Sequence, residues 1–106
     1  MPYDPARDPL HGLAASLSSP ARRMVQVTPS DAEDLAPYAK ALWVFVPETV
    51  ADGVGVVRIT SVGAPDGETV QVRALPGLQP LPPCQVRRVW AAGTSAGVIV
   101  YALSDR

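Results

Sequence analysis

A chain of 106 residues is the size of one ordinary domain, and with 47% apolar residues it is too hydrophobic to stay disordered. Its formal net charge is −1, Lys40 is its one lysine, and Arg22–Arg23 and Arg87–Arg88 are its basic pairs, so it has no concentrated positive face to neutralise a phosphate backbone, which argues against a nucleic-acid partner. The single cysteine, Cys84, allows neither an intrachain disulfide nor a cysteine metal cage, which suits synthesis and folding in a reducing cytoplasm.

Prolines at positions 2, 5 and 9 keep the first nine residues out of helix and sheet. Leu10, Leu13, Ala14 and Leu17 then fall at helical spacing before Pro20, which predicts at most two turns of helix over residues 10–19. The start of the chain lacks the basic-then-apolar layout of a signal peptide, and no run approaches the roughly 20 apolar residues that span a bilayer, so no membrane partner is expected. Residues 1–23 read as an extended N-terminal arm whose leucine stripe needs a partner surface, and residues 24–106 as a single β domain.

Residues 24–27 form a short predicted strand. Thr28-Pro29-Ser30-Asp31 follows, a hydroxyl cap, a proline that loses no bond there and an acid near the helix dipole, which predicts one short helix over residues 30–36 before Pro37. Strands are then expected at 41–46, at 54–62 and 68–75 on either side of the turn Pro65-Asp66-Gly67, and at 84–90 and 98–103, with 76–83 as a proline-rich connection. Val70, Val72 and Ala74 alternate with Thr69, Gln71 and Arg73, giving one buried and one wet face. Six short strands separated by turn signals make the fold all-β, a small antiparallel β-sandwich or open barrel. The last strand, from Val98 to Leu103, is apolar on both faces, as a central strand is, or one covered by a neighbouring subunit. Leu10, Leu13, Leu17 and Tyr101 are the interface candidates.

No chemistry-bearing constellation survives inspection. Gly93-Thr94-Ser95-Ala96-Gly97 matches the G-x-S-x-G string of a nucleophile elbow, but a β-branched strand follows where the motif needs a helix, so the segment reads as a hairpin turn. Cys84 and His11 stand beside prolines with no third group to orient the imidazole. Asp31, Glu33 and Asp34 lack calcium-loop spacing and read as first-turn helix acids. Trp43 and Trp90 lie in apolar strands and read as core or interface residues. The sequence therefore offers no catalytic, cofactor-binding or metal-ligating residues.

Three blocks carry a family likeness: residues 13–22 with Ser18-Ser19-Pro20-Ala21; Val27-Thr28-Pro29-Ser30-Asp31 running on to Ala41-Leu42-Trp43-Val44; and residues 86–103 with Arg88-Val89, Gly93-Thr94 and the final apolar run. In that order they resemble the head-spike base protein of gene transfer agents and related tailed phages of α-proteobacteria. The resemblance covers most of the chain, with the stretch around 50–80 matched poorly and residues 47–66 standing as an added excursion. It implies a non-catalytic virion protein without cofactors, made in the bacterial cytoplasm and residing on the particle head. Its copies would form a homo-oligomer, a pentamer, seated on the major capsid protein at the vertex. A spike fibre mounted on it would make any sugar contact with the host surface. The reading from another class is a small carbohydrate-binding module, with Trp43, Trp90 or Tyr101 stacking on sugar rings.

Overall fold

The computed structural model describes residues 2–12 and 19–105. Two antiparallel sheets face each other as a sandwich. The strands in chain order are β1 (Arg23–Val27), β2 (Ala41–Val46), β3 (Gly55–Ser61), β4 (Val70–Ala74), β5 (Gly77–Pro80), β6 (Val86–Val89) and β7 (Ile99–Ser104). The first sheet runs β1-β7-β2-β5 and the second β4-β3-β6. Period-2 alternation explains the layering: Leu42, Val44 and Val46 point inward from β2 and meet Val57 and Ile59 from β3 and Val86 and Val89 from β6. Burying each such side chain contributes about 1.5–3 kcal/mol, so this small layer supplies most of the driving force.

The structure departs from the sequence reading at residues 76–83 and 30–36. Residues 76–83 are not simply a connection, because Gly77–Pro80 forms β5 against β2 with Trp43 opposite Pro80 and Phe45 opposite Leu78. An edge strand tolerates proline because its outward N–H has no partner to lose. The predicted helix over 30–36 does not form. Ser30 Oγ does accept from the Ala32 and Glu33 N–H groups as a cap would. However, the Leu35 N–H goes to the Arg87 carbonyl, Asp34 is drawn to Arg88 on β6, and Asp31 to the Ala91 N–H in the loop after it. A segment of seven residues ending at a proline cannot offset helix nucleation against those bonds. Residues 47–66, an added excursion relative to the family resemblance, hold the strand expected at 54–62, which is β3, the middle strand of the second sheet, after a one-turn 3-10 helix at Ala51–Gly53.

At the N-terminus a single 3-10 turn, Pro5–Arg7, is capped by the Asp4 side chain and buries nothing. Asp8 gathers the Tyr3 hydroxyl, the Leu10 N–H and the Arg22 guanidinium, which ties this segment to the start of β1. The Tyr3 hydrogen bond, then the Leu10 amide, and then Arg22 hold the Asp8 carboxyl down to about 2. The predicted helix over 10–19 begins instead with tight turns at residues 9–12, and its remainder, with Leu13 and Leu17, lies outside the described residues. Among the described residues no helix is long and apolar enough to cross a membrane.

Candidate interface on the outer face of the first sheet

Because β2 and, up to Leu103, β7 are apolar at every position, the side chains that do not enter the core form a second apolar layer on the opposite face. The register sets out that layer. Met24, Leu103 and Ala41 form one cross-strand row; Gln26, Tyr101, Trp43 and Pro80 form the next; Ile99, Phe45 and Leu78 form a third. Of these ten positions only Gln26 is polar and none is charged. Met24, Phe45 and Leu78 are 62%, 39% and 61% exposed, so the layer is open to solvent. An uncharged, contiguous apolar face of this kind has the chemistry of a contact surface.

Tyr101 stands in the middle of this face, directly between Gln26 and Trp43. Leu10, the other described interface candidate, is 43% exposed in the N-terminal turns. Trp43, read from the sequence as core or interface, lies on this face, and Phe45 and Leu78 join it without a signal of their own, although Ala41-Leu42-Trp43-Val44-Phe45-Val46 shows the same two-faced apolar run as the last strand.

The outer face of the second sheet has opposite chemistry. The Arg58 and Arg88 guanidinium carbons lie 4.6 and 5.1 Å from the centre of the Trp90 ring. The Trp90 indole N–H donates to Thr60 Oγ1 at 2.8 Å, and the Thr60 hydroxyl donates to the Glu68 carbonyl at 3.0 Å. Trp90 is thus neither a plain core residue nor a free platform. Asp34 bridges two strand arginines, at 2.9 Å to Arg87 and 2.7 Å to Arg88, and Arg87 also reaches Asp66 at 2.7 Å. The Arg88 hydrogen bond, reinforced by Arg87 and opposed by partial burial, keeps the Asp34 carboxyl below the ordinary carboxylate range. Asp31 accepts from the Ala91 and Ala92 N–H groups. The acids read as helix caps therefore tie the 30–37 segment to β6 and to the loop after it. Among the described residues no cluster of His, Cys, Asp and Glu is arranged to hold a metal ion.

The Gly93–Gly97 segment is a turn, and it continues the second sheet where β6 stops. The Ser95 N–H donates to the Val56 carbonyl, Ser95 Oγ accepts from the Val56 N–H at 2.9 Å, and Thr94 Oγ1 accepts from the Arg58 N–H at 3.1 Å. Ser95 is occupied as a backbone surrogate rather than presented as a nucleophile. Cys84 and His11 keep different company, Cys84 beside the Ser61 hydroxyl at 3.3 Å and His11 beside the Tyr3 hydroxyl at 3.5 Å.

No protein-family profile matches this chain, and no curated protein matches it. Among solved structures it is similar to a chain of the capsid of a native GTA (gene transfer agent) particle computed with C5 symmetry. The two are 33% identical with a TM-score of 0.65, over 92% of this chain and 99% of the other.

Proposed function

The chain belongs to the structural proteins of gene transfer agent capsids, and we propose that within the particle it is the base of a head spike at a capsid vertex. Copies form a closed ring of five on the major capsid protein, and a fibre protein that meets the host surface, sugars included, is mounted on the ring. The role is structural and non-catalytic. The observation that carries this reading is the outer face of the first sheet, ten positions without a charge, in a relative of a capsid chain. The number five is in keeping with the C5 symmetry with which the relative's capsid was computed.

The same face argues against the carbohydrate module. A sugar site needs polar groups that converge on hydroxyls, and around Trp43 and Tyr101 only Gln26 supplies one. A protein surface is the better match for Met24, Phe45, Leu78 and Leu103. Residues 1–23 serve as an arm in this reading, with Leu10, Leu13 and Leu17 docking on a neighbour in the assembly.

The test is to place a charge in the middle of the face. Tyr101→Asp and Trp43→Asp should unfold at temperatures close to the parent, because both side chains point away from the core, yet fail to enter particles. Normal incorporation of both variants would refute the assignment of this face.

A further inference from the structure

We propose that neighbouring copies join edge to edge, β1 of one copy lying parallel to β4 of the next. The proposal rests on the ring reading above and specifies the contact that builds the ring. A ring of more than two copies must bring two different patches of one subunit together, because a self-complementary patch closes at a dimer. The sandwich has four sheet edges, and two of them are already blocked. The β6 edge is covered by residues 30–39, whose Ser30, Leu35 and Ala39 N–H groups donate to the Val89, Arg87 and Val86 carbonyls. The β5 edge ends in Pro80, and the Gln79 side-chain amide turns back onto the Leu75 and Gly77 carbonyls. Among the described residues no loop or side chain hydrogen-bonds the outer edges of β1 and β4, one in each sheet.

These two open edges match each other. β1 carries Val25-Gln26-Val27 and β4 carries Val70-Gln71-Val72, and two residues before each first valine stands a charge of opposite sign, Arg23 on one and Glu68 on the other. Arg23 and Glu68 are exposed and in no ion pair among the described residues. Val25 and Val70 are 43% and 52% exposed, far more than a partnered sheet valine. In parallel register Arg23 meets Glu68, Val25 meets Val70 and Gln26 meets Gln71. The antiparallel alternative that keeps the glutamines opposed leaves Arg23 facing Ala74 and sets Pro29 against Glu68, so charge selects the parallel one. Beside β4 an apolar groove of about 190 Å3, lined by Leu42, Ile59, Val70, Val72, Leu81 and Pro82, opens between the sheets. An incoming strand whose Val25 sits next to Val70 would close its mouth.

Charge exchange on the full-length chain tests the pairing. Arg23→Glu and Glu68→Arg should each weaken self-association roughly three- to tenfold by light scattering at matched concentration, and the double variant should recover it. With both sites exposed, circular dichroism of all three should match the parent. A second reading uses Val25→Cys with Val70→Cys in a Cys84→Ser background, which should oxidise to a ladder of chain multiples ending at the ring. Singles that assemble like the parent, a double variant without recovery, or oxidation without a ladder would overturn the edge pairing and leave the ring reading standing. A parent chain that stays monomeric would overturn both.

Discussion

Thr60 is 1% exposed and holds the polar side of the second sheet together, since it accepts from the Trp90 indole and donates to the Glu68 carbonyl. Thr60→Val keeps the shape and strands both partners, so it should cost about 1–3 kcal/mol in denaturant unfolding, with tryptophan emission reporting the freed indole. An unchanged midpoint would show that water replaces the hydroxyl at no cost. Asp34 gives a pH signature. Its folded carboxyl titrates below the ordinary value of 3.8 because Arg88 and then Arg87 favour the charged form, so the unfolded chain takes up this proton first as pH falls. The stabilisation is therefore complete above the ordinary carboxylate value and disappears as pH drops through the folded one. Asp34→Asn should melt several degrees lower than the parent at pH 7, and the two curves should converge on acidification below 3.8. None of this network is legible in the sequence. Asp34 and Arg87 are 53 positions apart, and only the sandwich, not any spacing rule, brings them together.

Among the elements, β2 is read correctly from the sequence to the residue, because six apolar residues, the last four of them β-favouring, end at a proline. β5 is hidden by the two prolines around it, which are the usual punctuation of a loop, and only pairing with β2 makes it a strand. The helix expected after Pro29 fails for a related reason. Its cap bonds form, but Asp31 and Asp34, two of the acids that would favour the helix, are held by tertiary partners instead. The apolar outer face is half legible: the two-faced last strand announces it, whereas Met24 and Leu78 join it only through register. Gly55 shows how closely the layers pack. A Cβ there would lie 2.8 Å from both γ-carbons of fully buried Val46, so Gly55→Ala should cost about 1–3 kcal/mol through overpacking. Ser95→Ala should cost about 1 kcal/mol by removing the acceptor of the Val56 N–H. Equilibrium unfolding measures both, and a Gly55→Ala variant as stable as the parent would mean that the sheets separate more easily than this packing implies.

As a whole molecule, the chain presents one charge-free face and one face of stacked arginines, a polarity that suits a subunit held in an assembly. The 3-10 turn at Pro5–Arg7 buries nothing, and among the described residues the ties of this segment to the body are polar, the Asp8–Arg22 pair and the Lys40 ammonium on the Ser19 carbonyl. Deletion of residues 1–19 should therefore leave cooperative unfolding intact and abolish incorporation into particles. Loss of the fold would place the segment in the core instead. The most direct measurement of the central claim is light scattering coupled to size exclusion on the purified full-length chain at tens of micromolar. A single species at about five times the 11.1 kDa chain mass is expected, and a clean monomer at that concentration would contradict the account.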